Sequence, residues 1–500
     1  MAIEISKQRH PGHITERGAT HAVVDANNAE RSRALPSSDV PAGHRTVRHL
    51  PARRAGESLD VYTRRYYREL LLEAAKADPA VALCKGEKMS ADAHACFRGS
   101  LGVLRELILD RYPRIAPPVA KNAALAARDI ERSQRMTVLG NNDLHVYNYG
   151  VTLGLVDGKR RPVFGATDVD ETAPVPFACD LVHDGVSRVL EARVLGLNEK
   201  KAVEALVEGY EHTLVRIAKD PARAAVPLTK NNAPEGPVRE LLAKAEKADQ
   251  PRWLARQIHA DTGLFRTSLF DDAHVHCPEQ RKAVQQSLEL WLQGLPQGAA
   301  RPLAVEVADT IYRRFAGTAS VDRLRLQASV RLTLADGIQS RHILEIKEER
   351  PATYRPTETL QECARRAAVN ARLLQPGGDP LLGDTLLGRV PTLVRERNAY
   401  EVDIDRDDLD KRSRFRDYAQ VCGTSLALQH AAQHPGPTAR RLLDSIERED
   451  LGGRLEDFVS ESTRELGDYF EQRAYPLFCE VFAELRGELE RKSKTAATIV

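Results

Sequence analysis

Residues 139–171 read LGNNDLHVYNYGVTLGLVDGKRRPVFGATDVDE. The stretch opens on a polar loop, residues 141–148, and closes on an acidic one, Asp168-Val169-Asp170-Glu171. Between them lie two short apolar runs, 150–155 and 162–165, separated by Val156-Asp157-Gly158-Lys159. An Asp-Gly pair between β-prone runs predicts a hairpin. A hairpin returns the chain to its start, so Asp143, His145 and Asn148 at one mouth are expected beside Asp168 and Asp170 at the other. Carboxylates and an amide gathered in this way are oxygen donors suited to Mg²⁺ beside a phosphate.

The 500 residues give room for two to four structural units and a sizeable core. At 42% hydrophobic and 29% charged residues, the chain falls in the globular, soluble class. A net charge of +2 supplies no general drive towards nucleic acid or a membrane surface, so neither is expected as a partner. The seven cysteines are odd in number and scattered, which argues against a disulfide framework and for a reducing compartment. No apolar run approaches the roughly 18 residues of a membrane span, and no secretory h-region opens the chain. A cytoplasmic location is expected, with a non-classical export route left open by the N-terminal arm.

That arm, residues 1–56, is rich in Arg, His, Ser, Ala and Pro without apolar periodicity and reads as disordered. Helical spacing then sets in with Tyr62, Tyr66, Leu70, Leu71 and Ala74, and again with Leu101, Leu104, Leu107 and Ile108. Asp180 is expected to open a long helical tract running to about residue 220, and residues 238–300 read as helical and connecting. His274-Val275-His276-Cys277 lacks a second ligand pair at zinc spacing and reads as a surface loop. Residues 303–349 turn to β character, with a small-residue turn at 315–320 and strands at 324–334 and 342–347. A helix over 357–374, a strand over 391–396, a helix over 415–432 and amphipathic helices over 439–490 follow. The fold class is thus α+β. Its expected parts are a helical lobe at 57–302 carrying the two loops, a small β-rich lobe at 303–400, and C-terminal helices at 401–500 that complete the helical lobe.

Phosphoryl transfer needs metal to bridge phosphates, a carboxylate to orient the nucleophile, and a cradle with a lysine. Asp143 suits the orienting role, while His145 is expected to order the loop by hydrogen bonding. Asn148 and Asp168 suit Mg²⁺, with Asp170 at a second metal or bracing the loop. Asp180 is placed to accept backbone N–H groups of the catalytic loop. Gly317 and Ser320 lie in a turn where backbone amides can approach phosphates. Lys347 ends the last strand of the β segment, and Glu362 or Glu358 on the next helix is the expected acid for it. Arg98, beside Gly99, could bring a guanidinium near a phosphate. Each acid alone reads as a solvated loop carboxylate; their grouping on two hairpin-linked loops is what favours a site.

Asn142 to Asn148, the hairpin, Thr167 to Glu171 and Asp180-Leu181 resemble the catalytic segment of aminoglycoside phosphotransferases and choline kinases. More closely, the chain resembles a bacterial family known as domain of unknown function 2252. The resemblance rests on Phe97-Arg98-Gly99, Asp143 to Gly150, Asp168 to Glu171, Gly317 to Ser320, Ile346-Lys347-Glu348 and Leu426 to Ala431, in that order. It covers about residues 60–490. Asn142 stands where that family has Gly, Ala319 replaces the second glycine of the turn, and Val182-His183 replaces Lys-Arg. The resemblance implies a kinase-like two-lobe fold, with ATP and Mg²⁺ serving transfer to a hydroxyl-bearing acceptor. Because the cradle and lysine here follow the catalytic loop, it also implies circular permutation. A catalytically silent nucleotide- or partner-binding protein and a metal-dependent phosphoesterase are the rival expectations.

Overall fold

The structure is a computed structural model describing residues 52–115, 132, 134–271, 273–297, 301–318, 320–355, 357–374 and 378–499. The expected N-terminal arm falls outside these residues except for its last five, and Ala319 also lies outside them. The chain is an α+β protein, and among the described residues helices alternate with three antiparallel sheets.

Ser58 accepts from the Val61 N–H and starts α1, Leu59–Ala77, whose Tyr62, Tyr66, Leu70, Leu71 and Ala74 are buried as their spacing requires. α2 (Pro79–Met89) and α3 (Ala93–Arg98) open on the side chains of Asp78 and Asp92, and α4 (Leu101–Arg111) follows. Then come β1 (Thr137–Gly140), β2 (Tyr149–Val156), β3 (Lys159–Ala166) and β4 (Ala173–Pro176). β2 and β3 form the hairpin read from the sequence, in register from Tyr149↔Ala166 to Val156↔Lys159. Asp157 and Gly158 both take positive φ, 51° and 72°, the twist a two-residue hairpin turn requires.

The long helical tract is α5 (Phe177–Val194) and α6 (Glu199–Lys219), followed by α7 (Pro237–Glu246) and α8 (Gln250–Gln257). The stretch expected to be a surface loop is instead an edge strand, β5 (His274–His276), paired to β6 (Ala304–Arg313). Its histidines bond Asp271 and Asp309. After α9 (Arg281–Gly294) come β6, β7 (Arg325–Thr333), β8 (Gln339–Glu348), α10 (Leu360–Leu374), β9 (Gly383–Leu387) and β10 (Val390–Arg397). β9, a five-residue edge strand, carries too short a pattern to be read alone. β11 (Val402–Asp403) joins the hairpin as its third strand. The chain ends on α11 (Arg412–Ala431), α12 (Pro435–Glu447), α13 (Leu455–Tyr469) and α14 (Tyr475–Ile499).

The six-stranded sheet has the order β5-β6-β7-β8-β10-β9. One of its faces packs Leu326, Val330, Leu344 and Ile346 against Val284, Leu288 and Trp291 of α9. A larger helical core gathers α1, α5, α6, α11 and α14 and takes in Val151 and Phe164 of the hairpin. A small third cluster, Val169 with Ala367, Ala368, Ala371 and Leu393, joins the acidic loop to α10 and β10. It places that loop against the sheet. No helix among the described residues is long and apolar enough to cross a membrane.

Candidate active site

The polar loop 141–148 is held by side chains that reach its backbone. Asp180, in the first turn of α5, accepts the Asn141 and Asn142 N–H groups at 2.7 Å each. It also faces His430 Nε2 of α11 at 3.0 Å, while Tyr210 O–H bonds the other ring nitrogen at 2.8 Å. Burial pushes the Asp180 carboxyl up, but His430 and the two N–H groups outweigh it and hold the group below the usual range. Further along, Ser187 Oγ accepts the Val146 N–H at 3.0 Å and Tyr418 O–H donates to the Val146 carbonyl at 2.7 Å. His145 Nδ1 accepts the Tyr147 N–H at 3.2 Å. Burial, then Arg98 and His94, keep that imidazole far below its ordinary pKa, so it is neutral and orders the loop.

Asn142 has φ +65° and donates to the carbonyls of Gly140, Glu171 and Ala173. A left-handed position explains why Asn can stand where glycine is the alternative.

The acidic loop alternates. Val169 is buried in the α10 cluster, so Asp168 and Asp170 turn the other way. Lys347, near the end of β8, reaches both: Nζ is 3.3 Å from Asp168 Oδ1 and closer still to Asp170 Oδ2. The two residues are 179 positions apart in the chain. Arg323 also bonds Asp170 Oδ2, at 2.7 Å. Burial raises the Asp170 carboxyl, but Lys347 and Arg323 override it and hold it far below the ordinary range. Asp168 keeps 37% of its side-chain exposure and is the open carboxylate of the pair. Asn148 is anchored by Nδ2 to the Asp143 carbonyl at 2.6 Å. Burial, Glu171 and Asp168 push Asp143 well above the usual carboxylate range, with Arg323 opposing and Asp170 adding to the rise. A raised pKa makes the Asp143 carboxylate a stronger base when it is ionised.

Asn148, Asp168, Asp170 and Lys347 line one cleft, together with Tyr147, Thr152, Arg325, Arg395 and Arg397. Among the described residues no three His, Cys, Asp or Glu side chains form a metal cage. Mg²⁺ does not need one: it is held through one or two carboxylates, waters and substrate phosphates. Asp168 and Asn148 supply oxygen donors of that kind, whereas Asp170 is already engaged by two cations. The residues present therefore fit Mg²⁺ in its usual partly hydrated form.

Other expected residues are placed differently. Glu362 turns back on its own helix start, accepting the Thr359 N–H and O–H at 2.7 Å, and Glu358 pairs with Arg366. Neither is a partner of Lys347, because Asp168 and Asp170 already satisfy its ammonium. Arg98 lies over the Tyr147 ring at 5.3 Å and acts on Asp143 electrostatically; its Nε is buried without a hydrogen-bond partner. Gly317 (φ +80°) and Ser320 lie on the β6–β7 connection. There the carbonyls of Phe315 and Gly317 accept from Lys88, and Ser320 Oγ accepts from Arg325.

Sequence reasoning missed Arg323, Arg366 and Glu349. Arg366 donates to the carbonyls of Asp170 (2.5 Å) and Thr172 (3.2 Å), clamping the acidic loop from α10. An acid is what the sequence leads one to expect on that helix, and an arginine does the holding. Glu349 is buried with both carboxyl oxygens unbonded, and burial plus Asp170 push it well above its ordinary pKa. It lies directly after β8, two residues beyond Lys347, and that closeness to the lysine was the available signal.

A bacterial family described as "Uncharacterized protein conserved in bacteria (DUF2252)" matches residues 77–479. The chain belongs to the DUF2252 family. The match spans the candidate site, from Arg98 in α3 to His430 in α11, and leaves out most of α1 and most of α14. No curated protein and no solved structure matches the chain.

Proposed function

We propose that this DUF2252 protein is a Mg²⁺-dependent, kinase-like phosphotransferase acting on a hydroxyl-bearing acceptor, with ATP as the first donor to test. The observation that carries the reading is the 3.3 Å approach of Lys347 to Asp168 across 179 residues. In kinases a lysine on the third strand of the small lobe pairs the nucleotide phosphates beside an Asp and an Asn that hold metal. Here Lys347 lies on β8, third in the run β6, β7, β8, and Asp168 and Asn148 line the same cleft. Asp143 takes the acceptor's proton, and Lys347 leaves Asp170 to meet the donor phosphates. Asp168 and Asn148 would hold Mg²⁺, which would supply positive charge to offset that of the phosphates. The lysine-bearing strands follow the catalytic loop instead of preceding it. In this reading the kinase order is circularly permuted, with residues 303–400 as the small lobe.

A second reading, a catalytically silent relative that binds a ligand, draws on Asp170 being held by both Lys347 and Arg323 and on α10 offering Lys347 no acid. Single-turnover measurements with labelled ATP separate the two. The first reading expects Mg²⁺-dependent binding and transfer, with Asp143→Asn binding normally and losing transfer by about 10²–10⁴-fold. Unchanged turnover in that variant would contradict it. Binding without turnover in the wild type, across a broad panel of hydroxyl acceptors, would favour the second.

A further inference from the structure

The cleft continues past Lys347 along the sheet, and there its wall is charged. Glu345 lies two residues before Lys347 on β8, so both side chains point to the same face. Arg395 of β10 is directly opposite Glu345, and Arg325 of β7 is directly opposite Lys347. Glu345 is completely buried. Around it stand Arg395 (2.8 Å), Arg313 (3.4 Å), Arg397 (3.5 Å) and Arg325 (3.7 Å). Arg325, Arg395 and Arg397 also line the cleft.

One carboxylate has about four acceptor sites, and four guanidiniums carry about twenty donors. Glu401 adds a second acid, 2.7 Å from Arg397, but burial pushes its carboxyl up towards the neutral form. Asp403, at the rim, is exposed. Arg325 Nε is buried with no hydrogen-bond partner. Donors and positive charge thus exceed what the protein supplies to meet them. The cleft also has Val151, Val169 and Leu393 in its lining, but the recess beside Glu345 is walled by three arginines, whose charge suits an anion over a neutral base.

We propose that this recess is an anion subsite. A ligand whose phosphate meets Lys347 carries a second phosphate that docks among Arg325, Arg395 and Arg397. Two residues of strand set the spacing between the two positions at roughly 7 Å. The ligand class is a linear polyphosphate chain or a polyphosphorylated polyol, recognised by charge at both ends; a nucleoside base contributes nothing in this recess. The inference rests on the phosphotransferase reading for its Lys347 end alone.

The test is calorimetric titration of the full chain, in Mg²⁺, with tripolyphosphate, ATP and adenosine. Tripolyphosphate is expected to bind at least as tightly as ATP, and adenosine not at all. Arg397→Gln and Arg325→Gln are each expected to weaken tripolyphosphate about tenfold, the size of one charge-assisted contact. Circular dichroism melts check that both variants fold, and Arg325→Lys, which keeps the charge, supplies a second measurement at the same position. It should retain part of the affinity. Adenosine binding, or ATP binding at least tenfold tighter than tripolyphosphate, would overturn the subsite and leave the phosphotransferase reading standing. Undiminished tripolyphosphate binding in both arginine variants would also overturn it. Failure of every phosphate compound to bind the wild type would overturn both.

Discussion

Glu345 is buried on β8 among four guanidiniums, and removing its charge leaves them facing each other. Breaking a buried ion pair by deleting one partner costs about 3–5 kcal/mol. Glu345→Gln is therefore expected to lose that much in denaturant unfolding; a loss below about 1 kcal/mol would contradict the cluster. Burial raises the Glu345 carboxyl, but the arginines outweigh it and hold it well below its ordinary value. A depressed carboxylate stabilises the fold above its unfolded pKa, about 4.3, and loses that contribution as pH falls towards the folded value. The gap between wild type and Glu345→Gln should accordingly shrink below about pH 4. A gap constant with pH would show that the charge is not what matters. Asn142 poses a backbone question of the same scale. At φ +65°, Asn142→Val should cost about 1–3 kcal/mol, with Asn142→Gly much milder. Equal melting temperatures for the two variants would be the contrary result.

At the scale of elements, the site is a loop, a hairpin and a second loop, each fastened by neighbours. The hairpin was legible because its turn chemistry is local: Asp157-Gly158 specifies the positive φ pair within four residues. Asp180 was legible as a brace because it begins a strong helical pattern just after the acidic loop. The partner of Lys347 was not legible. Side-chain pairing across about 180 residues is settled by packing, here by Val169 sinking among Ala367, Ala368 and Ala371 and turning both aspartates to the lysine. β5 and β9 escaped for a related reason, since short edge strands are defined by the strand they pair with. The fastening of the polar loop 141–148 by α11 gives a further prediction. Tyr418→Phe removes the 2.7 Å bond to the Val146 carbonyl and should cost about 1 kcal/mol of stability. Under the proposed function it should lower turnover more than donor affinity; an unchanged melting temperature would remove Tyr418 from the loop's support.

At the scale of the molecule, the helical part and the six-stranded sheet are joined by buried charges as well as by the cleft. Lys85 of α2 is 2% exposed and pairs with Asp322 at 2.9 Å, and Arg350 meets the same carboxylate at 2.8 Å. Arg366 bonds the acidic loop from the far side. Such links predict one cooperative unfolding transition by calorimetry. Lys85→Ala removes one of the two cations on buried Asp322 and leaves Arg350, so it should lower stability by less than the ~3–5 kcal/mol of a fully broken buried pair. Two separate transitions in the wild type would show that the parts unfold independently and that these links are weak.

The central claim is that Asp143, Asn148, Asp168 and Lys347 form one phosphate-handling site. Its most direct test is Mg²⁺-dependent binding of ATP and tripolyphosphate to wild type, Asp168→Ala, Lys347→Ala and Asp143→Asn. Loss of the Mg²⁺ dependence in Asp168→Ala, weakened binding in Lys347→Ala and intact binding in Asp143→Asn is the predicted pattern. Binding in Asp168→Ala and Lys347→Ala indistinguishable from wild type would contradict it.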